Sequence, residues 1–140
     1  MCIRDSGLTL YAGMSEYEQY QNATTHSGDG SERTYGIKYA TGAFTVGYQM
    51  SDEETGETSI TDYDNTMYSV TFSVNDDLSI GYNHIESDQT GGTLDAEATS
   101  YQAAYTMGGA TFRIAEVDIE NRAYAASDIN GTVVSMGLAF

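Results

Sequence analysis

From Gly7 onward apolar and polar side chains alternate with a period of two almost everywhere, and the i, i+3, i+4, i+7 spacing of an amphipathic helix is hard to find. The chain therefore reads as all-β. Large apolar side chains recur at Leu8, Leu10, Ala12 and Met14 in a first strand and at Tyr35, Ile37 and Tyr39 in a second. Phe44, Val46, Tyr48 and Met50 mark a third, and Tyr68, Val70, Phe72 and Val74 a fourth. Leu78, Ile80 and Tyr82 mark the fifth, and Tyr101, Ala103, Tyr105 and Met107 the sixth. Phe112 and Ile114 begin a seventh whose alternation becomes unclear after Ala115; Val134, Met136, Leu138 and Phe140 form an eighth. The intervening positions are mostly Gly, Ala, Ser and Thr, with an occasional Gln, Asn, Lys or Arg.

Connections alternate in length as regularly as side chains alternate in size. Thr41-Gly42, Asn75-Asp76-Asp77 and Gly108-Gly109 are turns of the kind that Gly and Asn favour in tight hairpins. Between them lie polar stretches, Gln21 to Arg33, Asp52 to Asn65, Ser87 to Thr99 and Glu120 to Ile129, that read as long loops. A soluble sandwich has no reason to gather its tight turns at one end and its long loops at the other, whereas an outer-membrane barrel has short periplasmic turns and longer extracellular loops. Aromatic placement agrees. Tyr39, Phe44, Phe72, Tyr105, Phe112 and Phe140 lie near a short turn or the terminus, as an interfacial girdle requires. A second ring is expected at Tyr35, Tyr48, Tyr68, Tyr82 and Tyr101.

Composition alone points elsewhere, because 21 acids against 5 Lys plus Arg in 140 residues give a formal charge of −16, and mean hydropathy is negative. Such acidity argues against nucleic acid and anionic membrane surfaces as partners. Position changes the picture. Apart from Asp5 and the turn residues Asp76 and Asp77, every acid falls in a long loop or in a strand end leading to one. The charge is then extracellular, and the spanning segments between are nearly neutral. A single cysteine excludes a disulfide framework.

The closing strand, Gly131-Thr-Val-Val-Ser-Met-Gly-Leu-Ala-Phe140, and hairpins such as Tyr35-Gly-Ile-Lys-Tyr-Ala-Thr-Gly-Ala-Phe-Thr-Val-Gly-Tyr48 resemble the C-terminal half of an alphaproteobacterial general porin. That resemblance covers nearly everything from Gly7 on. It implies an antiparallel up-and-down transmembrane β-barrel of 16 strands in the cell outer membrane, usually a homotrimer, passing small hydrophilic solutes and ions by passive diffusion. The eight strands here would be half of it. The terminal pattern Val134, Met136, Leu138 and Phe140 is similar to the signal read by the outer-membrane assembly machinery. The constriction loop of that family would belong to the other half. Residues 1–6, Met-Cys-Ile-Arg-Asp-Ser, resemble a translated adapter leader, which would leave 7–140 as the native segment, cut on its N-terminal side.

Two other architectures fit the same alternation. A complete eight-stranded membrane barrel with a structural or adhesive role needs an interior plugged by side chains, and the small inward face disfavours it. A soluble ligand-binding barrel would put the bulky face inside and charge outside, without loop asymmetry.

Few residues suggest chemistry. Lys38 and Arg113 are the basic residues of the small-residue face, each near a short turn, and are candidate pore-lining groups that orient anions or partner acidic loops. Arg33 and Arg122 lie near the opposite rim, where lipopolysaccharide phosphates or plain solvation would engage them. His84, His26 and Cys2 have no partner at catalytic or ligand spacing, so no enzyme, metal site or cofactor is expected. Asp52-Glu-Glu54 with Glu57, Asp62 and Asp64 lacks the spacing of a calcium loop and reads as a solvated acidic segment. Asn22-Ala-Thr24 and Asn130-Gly-Thr132 match the glycosylation pattern, which occurs often by chance.

Overall fold

The computed structural model describes residues 7–19, 28–57 and 62–138. The described residues form one eight-stranded antiparallel sheet in which each strand pairs with the next in sequence. Its strands are β1 (Gly7–Tyr17), β2 (Gly30–Thr41), β3 (Phe44–Glu54), β4 (Tyr63–Ser73), β5 (Leu78–Gln89), β6 (Ala96–Met107), β7 (Ala110–Glu120) and β8 (Ile129–Leu138). The sheet is not closed, and β1 and β8 are its edges.

Every strand that the alternation marks is present, and most extend further toward the long connections than expected. Those connections shrink to 18–29, 55–62, 90–95 and 121–128. Residues expected in loops, among them Glu32, Asp52, Glu53, Asp64, Asp88 and Glu97, lie on paired strands instead. Regular cross-strand hydrogen bonding satisfies the backbone whatever the side chain, so polarity at a strand end does not stop the ladder. Val74 is the opposite case: its N–H donates to the Leu78 carbonyl at 2.8 Å and it belongs to the turn, not to β4. β7 keeps strict alternation through Glu120, but Glu116, Asp118 and Glu120 take the bulky face, while Val117 and Ile119 take the small one. That exchange of polarity explains why its parity is unreadable in sequence. Phe140, His26, Cys2 and Asn22-Ala-Thr24 lie outside the described residues.

Tight hairpins close the turn end. Thr41 pairs with Phe44 and Met107 with Ala110. The first two-residue turn is therefore Gly42-Ala43, one residue later than the expected Thr41-Gly42 because Gly42 supplies the positive φ at its first central position, and the other is the expected Gly108-Gly109. Gly42 (φ 59°) and Gly108 (φ 60°) take the positive dihedral that a type II′ turn requires at its first central residue. In the third turn the Asn75 carboxamide oxygen accepts from the N–H groups of Asp77 and Leu78 at 2.9 and 2.8 Å, an Asx turn.

The register places on one face the large apolar side chains of the alternation that lie on the described strands, which leaves out Val74 in its turn. Leu10, Ile37, Tyr48, Tyr68 and His84 form one cross-strand row, and Phe44, Phe72, Ile80, Ala103, Ile114 and Val134 another. Among the described residues no hydrophobic side chain is buried, and Val134 is 72% and Leu10 70% exposed. A single sheet with no second layer has no core of its own. Each Leu, Val or Ile side chain covered by an apolar phase would contribute about 1.5–3 kcal/mol, so the stability of this fold depends on what covers that face.

Three strand tyrosines, Tyr11, Tyr17 and Tyr63, depart from the size rule by projecting on the small face. Tyr11 lies over Gly36, where an added Cβ would overlap its ring, and its hydroxyl donates to the Gln49 Oε1 at 2.7 Å. Tyr17 covers Gly30 in the same way. Because a Cβ at Gly36 would also meet the Tyr48 carbonyl oxygen at 2.8 Å, Gly36→Val is expected to destabilise the sheet by about 1–3 kcal/mol. Urea titration of the folded chain in detergent, with Gly7→Val as the open-space control, measures that loss.

Candidate functional site

On the bulky face polar and apolar residues meet along an oblique line. The row Ala12, Tyr35, Met50, Thr66, Glu86, Glu97 and Glu120 starts apolar at β1 and ends in three acids. Leu8, Tyr39, Val46, Val70, Tyr82 and Tyr101 share the row that ends at Glu116 and Thr132. From β1 to β8 the last apolar position before the polar margin descends steadily toward the turn end, from Met14 through Tyr35, Met50, Tyr68 and Tyr101 to Ile114 and Val134.

The turn ends descend in the same direction. The Phe44 row crosses β4 and β5 at Phe72 and Ile80, one residue short of the last pair of that hairpin, Ser73 with Ser79. Continued, the Ser79 row reaches Ala104 and Arg113, three residues short of the last pair of the next hairpin, Met107 with Ala110. Both margins therefore slip by about one residue per strand. With about 3.3 Å of rise per residue and about 4.8 Å between strands, an apolar band held level inclines the strands by about 35°.

Aromatic side chains follow the two margins. Near the turns Phe44 and Phe72 pack with ring centroids 4.6 Å apart. Near the acids Tyr101 packs on Tyr82 at 5.1 Å, Tyr82 on Tyr68 at 6.0 Å, and Tyr68 stacks on His84 at 4.8 Å. His84 Nδ1 also lies 3.0 Å from Thr99 Oγ1, so its place is that of a cross-strand packing residue. Arg33 sits beyond the aromatic margin, 3.7 Å from Asp52 in an exposed ion pair worth about 0–1 kcal/mol. Arg122 is exposed in a 3-10 turn, Arg122–Tyr124.

The small face carries few charges. Lys38 lies in the row Thr9, Gly47, Ser69, Asn83, Ser100 and Val117. Arg113 lies on β7 four residues nearer the turns than Val117, and five strand steps of slip amount to about five residues. In a frame where the apolar band is level, Lys38 and Arg113 thus share a height to within about one residue, roughly 3 Å. Both are exposed, and Lys38 borders an open depression of about 420 Å³ with Tyr11, Gln49, Met67, Asn83 and Ser100. Glu32 and Glu53 stand directly opposite each other on this face, nearer the long connections. They were missed as face residues because they read as loop; the signal available was their period-two spacing from Thr34, Gly36 and Lys38 and from Ser51 and Gln49.

The connection 121–128 also escaped the sequence. Asn121, Ala123 and Tyr124 take positive φ, Asn121 Nδ2 donates to the Asp95 carbonyl at 3.0 Å, and Tyr124 reaches past β6. Its hydroxyl is 2.7 Å from Ser87 Oγ and its ring 5.6 Å from that of Tyr63, both small-face residues. Among the described residues no group of three His, Cys, Asp or Glu side chains could hold a metal ion. Asn130 and Thr132 are paired inside β8, with Thr132 Oγ1 donating to Glu116 Oε2 at 2.6 Å. No protein family, curated protein or solved structure matches the chain.

Proposed function

We propose that the chain is a segment of an outer-membrane porin, its bulky face against lipid and its small face lining a water-filled pore for passive diffusion of small hydrophilic solutes and ions. The observation that carries this reading is the parallel descent of both margins of the apolar band. Transmembrane barrels tilt their strands by about 35–45° and flank an apolar band with aromatic girdles. A sheet that slips by about one residue per strand meets both conditions at once, with Phe44 and Phe72 in one girdle and Tyr48, Tyr68, Tyr82 and Tyr101 in the other. An uncovered apolar face and the acids beyond its margin follow from the same placement, and Lys38 and Arg113 become a basic level on the pore wall. The long connections would face outward, toward lipopolysaccharide; assembly would proceed through the outer-membrane machinery, and the intact protein would be a homotrimer.

A second reading, a complete eight-stranded membrane barrel, is favoured by one row of the small face. Tyr11, Gln49, Met67, Ile85, Ile119 and Ile129 are large enough to obstruct a narrow interior. Heat-modifiable migration of the detergent-folded chain is expected on both membrane readings. Stable conductance steps in planar bilayers are expected for the porin and not for a plugged barrel. Purification from cytosol as a monodisperse monomer without detergent would overturn both.

A further inference from the structure

We infer that the connection between β7 and β8, residues 121–128, is folded inward over the small face, and that Tyr124 is the residue that sets the size limit of the pore over β4 to β6. The inference rests on the porin reading above and adds a specificity-determining residue to it. The connection joins neighbouring strands, with Ile119 paired to Ile129, so an outward arch would keep it above its own hairpin. Tyr124 instead crosses β6 and reaches side chains on β5 and β4, about 5–10 Å sideways at about 4.8 Å per strand.

The backbone is bent to make that reach. Asn121, Ala123 and Tyr124 take φ of 49°, 57° and 57°. Asparagine tolerates the left-handed region, whereas alanine and tyrosine enter it only at a cost. Such strain persists where surrounding contacts over-determine it. Those contacts are identifiable. The Asn121 N–H donates to Asp128 Oδ1 at 3.0 Å and its carboxamide to the Asp95 carbonyl at 3.0 Å, which fixes the start of the connection against the preceding one, 90–95. The Arg122 N–H donates to the Ser127 carbonyl at 2.8 Å and closes the loop on itself.

At the far end the small face is built to receive the ring. Ser87 Oγ donates its single proton to Asn65 Oδ1 at 2.6 Å, so the Tyr124 hydroxyl, 2.7 Å from Ser87 Oγ, is the donor in that contact. The relay from Tyr124 through Ser87 to Asn65 runs along a cross-strand pair of β5 and β4. Ala96 is the partner of Ser87 on β6, and its methyl leaves open a path that a larger side chain would block. Tyr63, held by Gln89 Nε2 at 3.1 Å, meets the Tyr124 ring at 5.6 Å with the planes tilted by 37°. Tyr63, Ser87 and Tyr124 are all half-buried. Eight residues laid on the pore wall occupy cross-section that a bare wall would leave to solute, and pore diameter is what sieves neutral solutes.

Thiol labelling tests the placement of the connection and polymer exclusion tests its effect, on the full chain carrying Cys2→Ser, in detergent and then in planar bilayers. A Ser87→Cys thiol is expected to react with a thiosulfonate reagent about tenfold faster once Tyr124→Ala is added. A Ser100→Cys thiol, in the open depression nearer the turns, should keep its rate and so show that the sheet still folds. Tyr124→Phe, which keeps the ring on Tyr63 and loses the bond to Ser87, should fall between. In bilayers Tyr124→Ala is expected to admit poly(ethylene glycol) of roughly twice the mass. Equal labelling with and without Tyr124 would overturn the inward fold, and faster labelling with an unchanged exclusion limit would overturn the size limit. If no variant conducts while Tyr124 still shields Ser87, the porin reading fails and takes the size limit with it, but the connection remains folded onto this face.

Discussion

Val70→Arg is expected to abolish insertion of the chain into lipid vesicles, whereas Thr71→Arg, one residue away, is tolerated. Val70 lies on the bulky face between Tyr68 and Phe72, midway between the two aromatic margins, and its cross-strand neighbours are Val46 and Tyr82. Thr71 faces the other way, beside Thr45 and Gly81. A lipid-facing Arg near the bilayer midplane costs about 2–4 kcal/mol, which is roughly 30- to 700-fold in the insertion equilibrium. Thr71→Arg places its charge in water and should fold within a factor of about three of the parent. Urea titration in vesicles, read by the shift between folded and unfolded bands on unheated gels, measures both. Equal behaviour of the two variants would mean that lipid does not cover the bulky face.

The contrast between neighbouring residues is legible in the sequence, because alternation assigns each side chain to a face from its own strand alone. Leu8 to Met14 or Phe44 to Met50 need no partner to be read. The slip between strands is another matter. Tight turns tie Thr41 to Phe44 and Met107 to Ala110, but across 18–29 or 55–62 no local rule says which residue meets which. Sequence therefore indicates two sets of aromatics, one near the short turns and one further along the strands, and pairing shows that they follow two parallel oblique lines. Strand ends were misread for a related reason. Glu53, Asp64 and Asp88 are polar enough for a loop, yet beyond the apolar band a ladder continues without burying any of them, since water solvates the side chains and the neighbouring strand takes the backbone. In β7 the apolar and acidic residues exchange faces at Glu116, and a reading that assigns faces by size loses the strand there.

Of the candidate site, the two cations, their common face and their nearness to a short turn are legible in the sequence. Lys38 and Arg113 are 75 residues and five strands apart, and the slip per strand adds how closely their heights agree. On the porin reading, a level of positive charge on the pore wall makes a sharper demand than two scattered residues do. Replacing either with Glu should move ion selectivity by the same amount and in the same direction, because each would act on an ion at the same depth of the pore. At about 8 Å in water a charge pair is worth about 0.5 kcal/mol unscreened and about 0.25 kcal/mol at 0.1 M salt, where the Debye length is about 10 Å. Reversing one side chain therefore shifts a cation and an anion by about 0.5 kcal/mol each in opposite senses, about 1 kcal/mol between them and roughly fivefold in the permeability ratio. Lys38→Glu and Arg113→Glu together are expected to raise the cation-to-anion permeability ratio by about 10- to 30-fold at 0.1 M salt. In 1 M salt, where screening shortens to about 3 Å, most of the shift should vanish. Reversal potentials across a salt gradient in planar bilayers read the ratio directly, and Arg122→Glu in the exposed connection should leave it within about twofold. A double variant no different from Arg122→Glu would place Lys38 and Arg113 away from the path of the ions.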